Sequence, residues 1–509
     1  MAASILRMCM KDYKGVITVY LSVTWAVLLS LIVTLIHGAS MAAVKVKAEC
    51  ALENSLNSVF AEYNRGLWDK YNLLYIDISY ESNSPSVSNL EGRINNYFKG
   101  NLFVPEDEKF IFVKDLLGIT EGNVVVTDIE YATDRWGDVF FDQVCSYAKD
   151  VTETDVVNNM NNLISASSVY DYMHSDYGER YEEAVSNVND SVREGEVLGD
   201  DFDVTNFFPE LVPNMEDAAV SPMGMVVLGA DYYKLSFNRV QLLNLSSHNI
   251  FKESGNMGWD GNETGLLDDV YFNEYVMNKF NNYTSVDADS PLLYEAEYII
   301  HGSGNDGNNM CAVTNYIFLI RAGCNSISVY MDKEKMDLIK GASEVLSAVT
   351  KAPPEAWQTV LVLAWGGLEG IVDTRKIVLN SEKVPIIKDG DDFTTSLKGI
   401  INLIISKAEG TVGIESENAM DGTALDEGTL KDLMGMEIGY EEYLRLLLYM
   451  TPRPLRIFRT MDLIELNMRQ TDGNEYFTMN ALVSRIAVEA SVITMDDVIY
   501  SAKRKYSYF

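Results

Sequence analysis

The chain has 509 residues, 47% hydrophobic and 23% charged, a globular composition with room for two or three core-forming units. Acids outnumber bases by 75 to 40, and a net charge of −35 repels phosphate backbones, which argues against nucleic acid as a partner. Only four histidines, scattered over the chain (His37, His174, His248, His301), cannot by themselves build a multi-histidine metal centre.

The first element is a membrane span. Val16 to Ile36 is a run of 21 residues without charge, Gly or Pro, and at about 1.5 Å per residue it reaches about 30 Å, the thickness of a bilayer core. Its hydroxyls (Thr18, Ser22, Thr24, Ser30, Thr34) can bond back to helix carbonyls. Arg7, Lys11 and Lys14 precede the run against Asp12 alone, whereas Lys45 and Lys47 lie beyond it, diluted by Glu49 and Glu53. The positive-inside bias predicts a cytoplasmic tail (1–14), a transmembrane helix (15–37) and the bulk of the chain outside the cell membrane. The rival is a cleaved signal peptide, but the run exceeds the usual apolar region of about 7–15 residues. Trp357–Val372 is apolar but short and carries Gln358 and Glu369, so it reads as a core helix.

An amphipathic stalk (38–80) follows. Ala48, Leu52, Leu56, Val59, Tyr63 and Leu67 recur at helical spacing, which predicts one helix continuing from the span to about Leu74, with Gly66 the first residue that could loosen it.

The remainder, 81–509, reads as a mostly helical α+β body with a small β-sheet. Asn123–Tyr131 alternates like a strand, with a helix near Val139–Lys149, and a second β signal covers Met223–Leu228 and Tyr232–Leu245. Helical patterns mark Asp155–Tyr170, Asn309–Ala322, Lys333–Thr350, Glu355–Val372, Tyr440–Met450 and Leu455–Arg469, and Pro353-Pro354 fits a helix start. Two acidic stretches, near 176–217 with 13 acids and near 409–439 with eight, read as solvated loops.

Candidate sites are sparse. Gly302–Gly307 satisfies G-x-G-x-x-G, but NSISV at 325–329 offers no acid for a ribose, and the motif reads as a loop. Asp260, Asn262, Thr264 and Asp268 fall at the calcium-loop positions 1, 3, 5 and 9, and Tyr271 stands where the bidentate acid belongs, so they make at most a weak metal site. Glu295, Glu297, Glu369 and Asp373 lie in apolar segments and read as buried acids paired with bases such as Arg321 or Arg375. Cys311 and Cys324, if on one helix, stand about 20 Å apart, too far for a disulfide. Motifs for hydrolysis are missing, and no catalytic residue or cofactor is expected.

The order Lys14, Gly15, Val16, Ile17, Thr18, Val19, followed by an apolar span and an amphipathic extension, resembles the N-terminus of the pseudopilins of tight-adherence (Tad) pili. Those proteins usually carry an acid five residues after the Gly, where this chain has Tyr20. Lys14–Gly15 is thus the possible processing site, and the tyrosine argues that residues 1–14 are kept. Tyr294–Ile300, Gly302–Asn309, Ile317–Arg321, Trp365–Asp373, Lys383–Lys388 and Arg459–Arg469 resemble blocks of an uncharacterised family of single-span surface proteins of Gram-positive bacteria associated with Tad-like pili. The resemblance implies a membrane-anchored, non-enzymatic component, pseudopilin-like or accessory to such an assembly, with the lipid bilayer and other membrane or pilus-assembly proteins as partners. The reading from another class is a membrane-tethered ectoenzyme acting on envelope polymers, which would need convergent carboxylates or a metal in a cleft.

Overall fold

A computed structural model describes residues 2–80, 82–103, 117–151, 178–195, 223–248, 265–286, 289–398, 401 and 436–508, with the side chains of the first helix described from Val16 onward. The chain forms two compact units. One joins the two ends, Met1–Asp134 with Asp472–Phe509; the other holds the middle, chiefly Arg135–Phe251 and Asp260–Thr471. The body beyond residue 81 is therefore divided, and its C-terminal part belongs with the stalk.

The first unit starts with α1 (Ala2–Phe60), 59 residues long. From Val16 to Ile36 its large apolar side chains are 45–73% exposed, and among the described residues it is the one helix long and apolar enough to cross a membrane. Ser22, Thr24 and Thr34 donate to the carbonyls of Val19, Tyr20 and Ser30, so their hydroxyls do not face lipid unsatisfied. From Val44 the character changes. Val44, Ala48, Ala51, Leu52, Leu56 and Val59 form a buried seam at helical spacing. The helix stops at Phe60 rather than running to Leu74, because Asn64 accepts from Leu67 N and starts a separate helix, α2 (Arg65–Tyr71). The break is thus a cap at Asn64, with Gly66 already inside the new helix.

The seam packs on α3 (Val87–Leu102), which presents Leu90, Ile94, Phe98 and Leu102, and on an antiparallel sheet. The sheet contains β1 (Ile76–Asp77), β2 (Ile119–Tyr131), β3 (Leu482–Thr494) and β4 (Ile499–Ser507). Strand β3 is central: β2 pairs along one edge, Val124 opposite Ala490, while β4 and then β1 pair along the other. Ile486, Val488, Ala490 and Val492 alternate into the core, as a sheet with one buried face requires. The outer edge of β2 is closed by α3. Asn95 donates to Val124 O at 2.7 Å and accepts from Val124 N at 2.8 Å, and Glu91 accepts from Val126 N. These side chains stand in for a fifth strand and blunt an edge that would otherwise invite pairing.

The second unit is helical: α4 (Asp138–Val151), α5 (Gly178–Gly195), α6 (Met223–Leu228), α7 (Leu266–Lys279), α8 (Glu295–His301), α9 (Asp306–Met331), α10 (Lys333–Thr350), α11 (Pro354–Asn380), α12 (Tyr440–Met450) and α13 (Arg453–Met468). Asp332 caps α10 by accepting from Glu334 N and Lys335 N, and Pro354 opens α11 as its sequence suggested. A two-residue ladder joins Val384–Pro385 to Glu437–Ile438.

Two expectations fail here. Met223–Leu228 is a helix, and Tyr232–Leu245 is irregular chain between 3-10 turns that end at Lys234 and cover Leu242–Asn244, with a single bridge at Arg239, since Gly224 lies against the Cys311 carbonyl of α9 and packing there overrides β propensity. The first acidic stretch is not wholly loop: α5 occupies Gly178–Gly195 and buries Ala184, Val185 and Val188. Asp155–Tyr170 and most of 409–439 lie outside the described residues.

Candidate functional site

The most concentrated chemistry lies between α9 and α11. Their axes come close because two glycines remove the side chains in between. A Cβ on Gly366 would stand 2.1 Å from Ser326 Oγ and 2.7 Å from Ser326 N, and one on Gly370 would meet the Ala322 backbone at 3.0 Å. This approach brings Asp373 of α11 against Arg321 and Asn325 of α9, with Glu369 one turn before it on α11.

Arg321 is fully buried and donates to Asp373 Oδ2 from Nη2 at 2.7 Å and from Nε at 3.2 Å. Its other donors reach Asn325 Oδ1 and the carbonyls of Pro385 and Ile386. Lys388 enters from the segment after α11 and bridges both acids, 2.5 Å to Glu369 Oε1 and 2.7 Å to Asp373 Oδ1. Glu369 is saturated by the backbone amides and hydroxyls of Thr394 and Thr395. Two cations meet two carboxylates, so the cluster is formally neutral, as buried charge has to be. Burial opposes ionisation of Glu369, but Lys388 and the threonine donors outweigh it and bring its pKa down to about 2. A carboxylate with so low a pKa and every lone pair engaged makes a poor base and a strong clamp. It ties α9, α11 and residues 384–395 together.

The remaining acids singled out from the sequence are also placed inside. Glu295 accepts from Asn281 N and Asn467 Nδ2. Glu297 accepts from Tyr283 N at 2.9 Å and from the Tyr440 hydroxyl at 2.6 Å, and burial pushes its pKa up to about 7 in spite of those donors. Asp462 of α13 receives the Tyr298 hydroxyl and that of Ser247, and Arg459 donates to the carbonyls of Ile299 and Ile300 beside Gly302, whose positive φ of 88° closes α8. The G-x-G-x-x-G stretch thus follows a helix rather than a strand. Asn305 caps α9, and the stretch offers no phosphate cradle of the dinucleotide kind.

Among the described residues no buried acid pairs with Arg375. Arg375 donates to Val227 O and, with Lys234, Lys376, Asp231 and Tyr283, lines an open cleft of about 660 Å³. Of the calcium-like set, Asp260, Asn262 and Thr264 fall outside the described residues. Asp268 is committed to the start of α7, where Oδ2 accepts from Gly265 N and Oδ1 pairs with Lys149 at 2.7 Å. Among the described residues no group of three or more metal-binding side chains forms. Lys14 and Gly15 lie within α1 by backbone, and their side chains are outside the description. Cys311 and Cys324 stand on one helix, and Cys50, Cys145, Cys311 and Cys324 are free thiols.

Sequence reasoning missed Lys388, Asn325, Thr394 and Thr395. A faint signal existed for the first, a lysine ending the apolar run VPII, and for the second, four residues after Arg321 and so on the same helix face. The blocks singled out above for their resemblance to a family supply the members of these buried networks: Glu295, Glu297, Tyr298, Arg321, Glu369, Asp373, Lys388, Arg459 and Asp462.

Comparison with curated proteins and with solved structures gives no match for this chain. One family model does match, described as "Family of unknown function (DUF5702)", over residues 210–494. That segment is more than half of the chain and contains every buried ion pair of the α9–α11 clamp, and the chain belongs to this family.

Proposed function

We propose that the protein is a membrane-anchored, non-enzymatic surface component, pseudopilin-like or accessory to a Tad-type pilus or secretion assembly. The observation that carries this reading is α1. Val16–Ile36 is apolar and exposed, and from Val44 to Phe60 the same helix is built into a core with α3 and an antiparallel sheet, with no break between them. Such a rod transmits position from the bilayer into a folded domain, which suits a part that packs beside other helices. The clamp of Glu369 and Asp373 supports a scaffolding role for the helical unit, since both carboxylates are fully buried and held by Lys388, with Arg321 and Asn325 on Asp373 and Thr394 and Thr395 on Glu369. Arg7, Lys11 and Lys14 favour an outward-facing body.

The test is crosslinking with mass spectrometry on intact native membranes, together with mapping of the N-terminal peptide. Crosslinks from Val16–Ile36 to other single-span or assembly proteins, with residues 1–14 retained, are expected. A chain whose span contacts lipid alone would remove the assembly role. A mature terminus at Val16 would make the protein a processed filament subunit.

A further inference from the structure

We propose that the turn between β3 and β4 rests on the outer headgroup layer of the bilayer that α1 crosses, so that the first unit is seated on the membrane rather than held clear of it. The inference relies on the membrane anchor of the reading above and adds a second contact with lipid. It begins with the helix. Val16–Ile36 fills the apolar core of about 30 Å, and one headgroup layer of roughly 5–8 Å adds about four or five helical residues, ending near Ser40 or Met41. The first buried residue of the domain seam is Val44 itself, and Ser40 and Met41 are already half-buried. Protein packing therefore begins where the headgroups end, with no free length of helix between.

Strand β4 shows which element lies at that level. It runs alongside α1 in the same direction: Tyr500 donates to Glu49 at 2.7 Å, Tyr506 to Asn57, and Tyr508 to the Phe60 carbonyl at 2.7 Å. The tip of the turn, Asp496–Asp497, precedes Tyr500 by three to four residues, and at about 3.3 Å per residue this puts it roughly 10–13 Å nearer the bilayer, level with about Ser40 to Ala42. At that end two large apolar side chains point outward, Met495 at 73% and Ile499 at 68% exposure, with Val46 of α1 at 60%. Single exposed apolar residues are ordinary. Three of them at the one height fixed by a rigid helix are explained by lipid. Asp496 and Asp497, the latter in the left-handed region (φ 56°), occupy the turn, and Lys45 and Lys47 stand on α1 close to the same level, so the patch is formally balanced and suits zwitterionic headgroups.

The experiment reconstitutes the full chain in phosphatidylcholine nanodiscs containing a phosphatidylcholine with a photoactivatable group near its glycerol, and maps labelled peptides by mass spectrometry. Label is expected on Val16–Ile36 and on Met495–Ile499, but not on Tyr506–Tyr508 at the far end of β4. Met495→Asp with Ile499→Asp should abolish it while the thermal unfolding of the unit is unchanged. Label on the span without label on the turn overturns the inference and leaves the anchor standing. An unlabelled span overturns the anchor and the inference together. Crosslinks between the turns of two chains, with no lipid label, would assign the patch to a second copy instead.

Discussion

The two units solve the same packing problem by opposite means. The first is held by an apolar core, with Val44, Leu52, Leu56, Val59, Ile94, Phe98, Val488 and Val492 buried against one another, and Glu130 and Asp134 are the buried acids among its described residues. The second threads charge through its centre: Arg321, Glu369, Asp373, Lys388, Glu297, Arg456 and Asp462 are all buried among long helices. Apolar burial is non-directional and tolerates small shifts, whereas buried hydrogen-bonded charge fixes one geometry and heavily penalises others. The former seats α1 on its sheet; the latter holds the helices of the second unit in one register. If this contrast is right, the two units should differ in how they respond to the loss of a single group.

The largest effect is expected in the helical unit. Asp373→Ala removes the acceptor shared by Arg321, Asn325 and Lys388 and leaves an unbalanced buried cation, so it should destabilise by about 3–5 kcal/mol. Replacing Arg321 and Asp373 together, by Met and Leu, leaves Lys388 balanced by Glu369 and should recover much of that loss. Urea unfolding of the three proteins checks it. A double variant no better than Asp373→Ala would mean that packing, not charge balance, holds the clamp.

In the first unit the corresponding change is Leu56→Ala. Leu56 is 1% exposed in the seam of α1, and the lost contacts and cavity should cost about 2–4 kcal/mol. Leu56→Met should cost less than about 1.5 kcal/mol, because an apolar core accepts a side chain of similar volume. No conservative change at Asp373 should be tolerated so well. Equal sensitivity of the two positions to their mildest substitutions would erase the contrast.

A smaller effect, bounded in pH, follows from Glu297. Its pKa is about 7 in the folded protein against a reference of 4.5, because burial outweighs the Tyr440 and Tyr283 donors and Asp306 lies nearby. The folded state therefore holds the proton more tightly than the unfolded one, and this group's contribution is complete below about pH 4.5 and declines as pH rises to about 7. Glu297→Gln keeps an acceptor for both donors and cannot ionise, so the difference in stability between variant and parent should move in the variant's favour across that window. A difference that stays constant from pH 4.5 to 7 would show that Glu297 is ionised throughout.

What the sequence made legible follows the same division. Periodicity revealed the span, the seam of Ala48, Leu52, Leu56 and Val59, and helices such as Lys333–Thr350 and Tyr440–Met450, whose ends the structure reproduces. The alternation in Leu482–Thr494 was equally clear and was overlooked, although Ile486, Val488, Ala490 and Val492 mark a strand without ambiguity. The site was only half visible. Buried acids stood out in apolar company, and Arg321 was named as a partner. Lys388 and the Thr394–Thr395 pair lie 15 to 26 residues from the acids they satisfy, and only the close approach allowed by Gly366 and Gly370 brings Asp373 within reach of Arg321 and Asn325. Local pattern reports which face is buried and cannot report which distant donor fills it.

The smallest effect tests the edge of the sheet, where the apolar unit relies on the polar side chains of Asn95 and Glu91. Asn95 mimics a neighbouring strand by accepting from Val124 N and donating to Val124 O, at the outer edge of β2. Asn95→Ala removes both bonds, at a position where water can reach part of the freed backbone, so the cost should be about 1 kcal/mol. Asn95→Asp keeps the acceptor but faces the Val124 carbonyl with a second oxygen, and should fall at or below the alanine variant in stability. The more telling readout is association. With the edge uncovered, β2 offers unpaired backbone groups to another chain, and sedimentation velocity in detergent should show self-association rising with concentration for Asn95→Ala and not for the parent. If the alanine variant loses stability yet stays as monodisperse as the parent, Glu91 alone, through its bond to Val126 N, is enough to close the edge.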